Sequence, residues 1–306
     1  MRIASLLPSA TEIVCALGLQ DALIGVSHEC DTPAAVVAHL PRLTRTAVPA
    51  DFTSRQIDDF VRDKTARNEP LYEIEDALLR TLQPDLIITQ AVCDVCAVSH
   101  AAACSLAASL PNQPPVVSLN PVNLEGIFAD IAAVAGATGT LSQANRLTSA
   151  LRARIERVQT AVHGRPRPAV FACEWLDPPF AAGHWVPEMV ALAGGREVLG
   201  RAGRPSQRVT WEAVVAAAPD YMLVMPCGFP QAAAAAAWQQ LPRPHGWERI
   251  PAAQPGRVVC LDANSYFSRP GPRCIDGVEQ IAAIIHAGAL LPGRPPQQTT
   301  LADQRV

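Results

Sequence analysis

Cys93 and Cys96 stand in a C-x-x-C spacing, whose thiolates can share one metal ion or one disulfide. A zinc site normally needs a second pair of ligands, and His28-Glu29-Cys30-Asp31 offers one. His28, Cys30, Cys93 and Cys96 are therefore a candidate soft-metal or cobalt-contacting set. The plain alternative is a group of reduced, partly buried thiols near a loop. Aromatic side chains carry a second kind of chemistry. They are only 5% of the chain, yet Trp175, Phe180, Trp185, Phe229, Tyr266 and Phe267 fall into a few stretches, together with Glu174, His184, Cys227 and Arg269. Aromatic walls with a few polar points suit a large, partly apolar ligand. The alternative for Trp175 and Trp185 is that they only pack the second half of the chain.

These residues need elements to position them. Arg2 to Leu7 is an apolar run long enough for one buried strand, and Pro8 stops it. Ser9 and Glu12 have the S-x-x-E spacing of a capping box, so a helix is expected to start there, with Gly18 as its left-handed stop. Leu23 to Ser27 reads as a second buried strand running into His28. Strand, helix, strand makes a parallel unit, and in such sheets ligands gather beyond the carboxyl ends of the strands. That places Ser9, Thr11, His28, Glu29 and Cys30 on a rim. Leu86 to Thr89 is a further buried strand that delivers Cys93 and Cys96 to the same rim.

Helices are expected over Phe52–Arg67, Tyr72–Leu82, Ser99–Leu110 and about 140–163, with Val116–Leu119 a strand. The helix at 140–163 has an apolar stripe at Leu147, Leu151, Ile155, Val158 and Val162. The second half restarts at Pro168 with a strand over Ala169–Cys173. Strands over Tyr221–Met225 and Val258–Leu261 follow, with helices over Trp185–Ala193, Trp211–Ala218 and Ile275–His286. This alternation is α/β. We divide it into an N-terminal lobe (1–122), a linker with the long helix (123–165), a C-terminal lobe (166–292) and a polar tail (293–306).

Composition bounds the function. At 306 residues and 49% hydrophobic, two cores can be filled. A net charge of −3 with no basic stripe argues against nucleic acid. Nine cysteines, an odd count without a regular framework, make a poor disulfide scaffold, and several are expected to be buried, Cys15 foremost. No nucleophile elbow, Walker A, H-E-x-x-H or dinucleotide fingerprint is present, so no enzyme is read. Met1-Arg2 leads straight into the first strand, without an export signal or lipobox. The expected location is cytoplasmic for the sequence as it stands, and periplasmic if the true start lies upstream.

The opening SLLPSATEIVCALGLQDALIGVSHECDTP resembles that of the periplasmic binding proteins serving cobalamin and iron-siderophore ABC transporters, in the class with a helical backbone. The resemblance continues, in order, at LQPDLIITQ, PPFAAGHWVPEMVALAGG, VTWEAVVAAAPDYMLV and SRPGPRCIDGVEQIA, and is strongest to the cobalamin-binding members. It implies two Rossmann-like lobes with parallel sheets joined by a long α-helix, a ligand cleft between the lobes, no catalysis and no required cofactor. It further implies a small-molecule ligand, a monomer, and docking on an ABC transporter permease. Positions 28–33 and 175–185 match stretches that line the corrinoid cleft in such relatives. The expected ligand-binding set is therefore Ser9, His28, Glu29, Cys30 and Cys93 from the first lobe. The second lobe would contribute Trp175, Phe180, His184, Trp185, Phe229, Tyr266, Phe267 and Arg269. Glu212 matches the second-lobe carboxylate that meets transporter arginines, and Glu75 or Asp76 stands near its first-lobe counterpart. Standard cobalamin-binding relatives lack the cysteine pair. Two alternatives follow: an iron-siderophore or haem binder on the same fold, and a cytoplasmic metal- or redox-active protein using Cys93 and Cys96.

Overall fold

Ile3, Ala4 and Ser5 are wholly buried, and they form the strand at the middle of the first sheet. The structure, a computed structural model, describes residues 1–49, 51–67, 69–90 and 100–286. The chain divides into two compact units, the first holding 1–121 and 125–149, the second 122–124 and the residues from Ala150 onward.

In the first unit β1 (Ile3–Ser5) leads into α1 (Pro8–Ala16), which returns through β2 (Leu23–Val26). After α2 (Ala34–Val37) come β3 (Thr44–Thr46), α3 (Ser54–Ala66), β4 (Tyr72–Ile74) and α4 (Asp76–Leu82). Strand β5 (Leu86–Gln90), helix α5 (His100–Ser109) and strand β6 (Val116–Leu119) complete a sheet of order β2-β1-β5-β6. All its pairings are parallel, with Ile3 opposite Leu23 on one side and Leu86 on the other. The continuous apolar runs of β1 and β5 are what a sheet covered on both faces requires. One face packs Ala4, Leu6 and Ile87 against Leu43, Leu79, Leu106 and Leu110.

Three expectations for this unit are corrected. Ser9 does not cap α1: the N-cap is Leu7, without a side-chain hydrogen bond, and Pro8 occupies the first turn. Proline's fixed φ suits that first position, which leaves Ser9 at the second helical position, two places past the cap. The helix stop at Gly18 does form, with φ of 79°; Leu19 N donates to Val14 O and Gly18 N to Cys15 O, a Schellman closure. Tyr72 to Ile74 is a strand, not the start of a helix, and pairs antiparallel with Thr44–Thr46 in a separate two-stranded sheet. Cross-strand partners decide the matter there, and only Asp76–Leu82 remains helical. Cys15 is half-buried, whereas among the described residues Cys30, Cys173, Cys260 and Cys274 are the buried thiols.

Helix α6 (Leu124–Thr138) precedes α7 (Leu141–Val162), the long helix of the chain, which passes from the first unit to the second between Ser149 and Ala150. Leu151, Val158 and Val162 of its expected stripe are buried.

The second unit is built on β7 (Ala169–Leu176), which turns back at once into β8 (Pro179–Ala181). Helix α8 (Val186–Leu192), the short strands β9 (Arg196–Glu197) and β10 (Gln207–Arg208), and α9 (Trp211–Ala217) follow. Then come β11 (Tyr221–Val224), α10 (Gln231–Gln240), β12 (Val258–Cys260), α11 (Ala263–Tyr266) and α12 (Cys274–Ile285). The sheet order is β10-β8-β7-β11-β12, with β9 beside β7. β7, β9, β11 and β12 pair in parallel, while β8 and β10 form an antiparallel edge that the sequence reading did not include. Trp238, Trp247 and Phe171 fill the core on one face. Arg154 of α7 ties down α12, its Nε 2.8 Å from Glu279 Oε1 and its Nη2 2.5 Å from Asp276 Oδ1. No described helix is long and apolar enough to cross a membrane.

Candidate functional site

The first unit gathers its polar side chains beyond the carboxyl ends of β1 and β2, where a parallel sheet leaves room for a ligand. Two hydroxyl relays run through the rim. In the first, Thr11 Oγ1 donates to Ser5 Oγ at 2.8 Å and Ser5 Oγ donates to Leu7 O at 3.0 Å. Thr11 has one hydroxyl hydrogen, so the Cys30 thiol, 3.1 Å away, is the donor to Thr11 Oγ1. Cys30 is thus turned inward, 2% exposed, with its hydrogen engaged. Arg42 holds the turn around it by donating to Ser27 O and Cys30 O.

The second relay fixes His28. Thr44 Oγ1 donates to Ser27 Oγ at 3.1 Å, and the backbone N–H of His28 donates to Thr44 Oγ1. His28 Nδ1 lies 2.7 Å from the same oxygen, whose hydrogen is already engaged, so Nδ1 carries the proton. The Tyr72 ring tilts against the imidazole with centroids 5.6 Å apart. His28 Nε2 is buried and without a hydrogen-bond partner. The carboxylate of Glu29 lies 3.3 Å from it, off the hydrogen-bonding direction, on a side chain that is 48% exposed. Ser9 Oγ is also buried without a partner. Thr44 and Tyr72, which position His28, were not among the expected residues; the alternation Tyr72-x-Ile74 was the available signal, too short to outweigh a helical reading.

In the second unit the expected aromatics separate into two groups. Trp175 and Phe180 face each other across the β7–β8 pairing, and the Phe229 ring stands edge-on to Trp175 with centroids 5.6 Å apart. All three are only partly buried, and Arg208 lies over Phe180. Together they make an aromatic shelf. Trp185 and Phe267 instead belong to the core, 7% and 2% exposed, with the indole N–H bonded to Phe267 O. Tyr266 is partly buried beside Arg273, and Arg269 is buried with its carbonyl accepting from the Cys274 thiol.

Glu174, adjoining the shelf, accepts from Ser206 Oγ at 2.7 Å, and burial raises its pKa against that bond. Gly183 cannot be replaced at this place: a Cβ would sit 2.4 Å from Arg204 O. His184 follows in the left-handed region at φ 51°, its N–H on Arg204 O, and burial lowers its pKa. Nearby Glu197 accepts from the N–H groups of Ala172, Val198, Leu199 and Gly200; burial nevertheless pushes its pKa up to about 7.

Glu75 is the N-cap residue of α4 and sits 3.6 Å from Arg45 Nε, and Glu212 lies in the first turn of α9 after the Thr210 cap. Both are surface carboxylates. Cys93 and Cys96 lie outside the described residues. Among the described residues no group of three or more His, Cys, Asp or Glu could hold a metal ion.

The family described as periplasmic binding protein matches residues 3–265. The vitamin B12-binding protein of Vibrio cholerae serotype O1 is 25% identical over 299 residues, covering 93% of this chain and 88% of that protein. The apo periplasmic heme-binding protein RhuT from Roseiflexus sp. RS-1 superposes with a TM-score of 0.70 at 22% identity, over 94% of this chain and 99% of that one. The periplasmic vitamin B12 binding protein BtuF of Vibrio cholerae does so with a TM-score of 0.66 at 23% identity, over 93% and 96%. Likeness to these solved structures bears on the fold.

Proposed function

The chain belongs to the periplasmic binding protein family, and we propose that it holds a corrinoid as the binding component of an ABC transporter, without catalysing a reaction on it. The observation that carries this reading is the shelf of Trp175, Phe180 and Phe229, whose partly exposed faces suit the flat apolar surface of a large macrocycle. Support also comes from the vitamin B12-binding relative, aligned over nearly the whole chain. Ser9, His28 and Glu29 are the polar side chains that the rim of the first unit, by itself, would offer to a ligand. Glu75, half-buried beside Arg45, and Glu212, exposed, both at helix starts, are the carboxylates we assign to docking on permease arginines. We place the work of the protein in the periplasm, as for its family.

A haem in place of the corrinoid is the second reading, favoured by the contact of His28 with Tyr72 in the first unit, since imidazole and phenol both suit ferric iron. Titration with cyanocobalamin, cobinamide and ferric haem, followed by tryptophan fluorescence, tests both. Saturable quenching by the corrinoids supports the first reading and by haem alone the second. Quenching by none of them contradicts both.

A further inference from the structure

We propose that Cys104 is a thiol-modification site, activated by His100, that exchanges with a low-molecular-weight disulfide; the inference is independent of the ligand reading above. The two side chains stand four residues apart on α5 and so share one flank of that helix. Cys104 Sγ lies 3.4 Å from His100 Nε2 and 3.8 Å from Nδ1, within hydrogen-bond reach for sulfur, so the imidazole is placed to take the thiol proton. The helix buries Ala103, Leu106 and Ala107 in a core shared with Ala4 and Ile87, while His100 and Cys104 beside them stay partly exposed and open to a small reagent. Other described thiols are arranged differently. Cys173 and Cys274 are buried and spend their hydrogens on the carbonyls of Trp175 and Arg269, and Cys30 gives its own to Thr11. Burial pushes Cys260 up to about 11, and burial with the Glu12 carboxylate does the same to the half-buried Cys15. Cys227 is exposed and gives the comparison for access alone.

In the step, Cys104 gives its proton to the imidazole and the thiolate attacks one sulfur of the disulfide. A bond from Cys104 Sγ to that sulfur forms as the disulfide's own sulfur–sulfur bond breaks. The leaving thiolate takes the proton from His100 and departs as a free thiol. Cys104 is oxidised, one half of the small disulfide is reduced, and the imidazole ends as it began. Attack by a second small thiol reverses the exchange, so the modification is reversible.

The test uses the purified, reduced chain with two probes, each read by mass-spectrometric mapping that resolves every cysteine. Iodoacetamide reports thiol reactivity irreversibly, and oxidised glutathione is the disulfide. At about pH 7, Cys104 is expected to be alkylated roughly tenfold faster than the more exposed Cys227. His100→Gln is expected to slow Cys104 about tenfold and to make its rate climb more steeply with pH, while circular dichroism and Tm stay as in the wild type. Added imidazole should restore part of that rate, which it would not do for a histidine that only packs. Oxidised glutathione is expected to leave a disulfide at Cys104, with glutathione or passed on to another cysteine of the chain, that a reductant removes and Cys104→Ser lacks. Alkylation of Cys104 no faster than Cys227, or equally fast in wild type and His100→Gln, overturns the inference. Fast alkylation with no disulfide formed at Cys104 overturns the assignment of a disulfide as its co-reactant. Each of these outcomes leaves the ligand reading where it stands.

Discussion

The indole N–H of Trp185 donates to the carbonyl oxygen of Phe267 at 2.8 Å, between residues 82 apart in sequence, and both side chains are buried. Trp185 therefore acts on the second unit's packing. Trp185→Phe leaves a buried carbonyl unsatisfied and is expected to cost about 1–3 kcal/mol of stability, and Trp185→Ala about 3–5 kcal/mol. Urea denaturation measures both, and ligand affinity per folded molecule should stay near wild type.

Asp130 governs part of the pH dependence. It is 8% exposed, Oδ1 accepts only a long bond from Asn120 N, Oδ2 has no partner, and burial raises its pKa to about 7. A carboxyl raised above its unfolded value near 4 stabilises the fold fully below that pH, and the contribution is lost as pH rises through about 7. Each such group contributes up to about 1.4 kcal/mol per pH unit in that window. Asp130→Asn should match wild type near pH 4, exceed it at pH 8 and flatten the slope of stability against pH. Glu174 and Glu197 are shifted in the same direction and add to that slope.

Two hydroxyls at helix starts should behave oppositely. Thr53 Oγ1 accepts from Gln56 N while Gln56 Oε1 accepts from Thr53 N, a complete capping box, so Thr53→Ala should cost about 1 kcal/mol. Ser9 Oγ makes no such bond, so Ser9→Ala should leave thermal stability unchanged or slightly higher. If Ser9 serves the ligand, its loss appears in affinity alone.

The Arg154 clamp joins α7 to Asp276 and Glu279 of α12 with all three side chains largely sheltered. Arg154→Ala should cost roughly 1–3 kcal/mol, and Arg154→Lys somewhat less, because an ammonium cannot reproduce the fork. Melting curves at low and high salt check this; a salt-insensitive loss would point to packing instead.

Much of this architecture was legible from local signals. The apolar runs of β1, β5 and β11 and the Gly18 stop act within a few residues, and they folded as read. What escaped depended on partners distant in sequence. Tyr72–Ile74 is a strand because Thr44–Thr46 lies beside it, and β8 exists because β7 turns back on itself. The Ser9–Glu12 spacing was a true motif in the wrong frame, displaced by Pro8 at the helix start. Residue type singled out Trp175, Phe180 and His28 as candidates, but it could not separate Trp175 on the shelf from Trp185 in the core. Nor could it reveal that Thr44 fixes the His28 proton, a fact of tertiary contact.

The most direct test is calorimetric titration with cobinamide and cyanocobalamin, comparing wild type with Trp175→Ala. The account predicts saturable binding by the wild type, weakened about tenfold or more in the variant while its stability changes little. Absence of saturable corrinoid binding by the wild type, or equal affinity in Trp175→Ala, would contradict it.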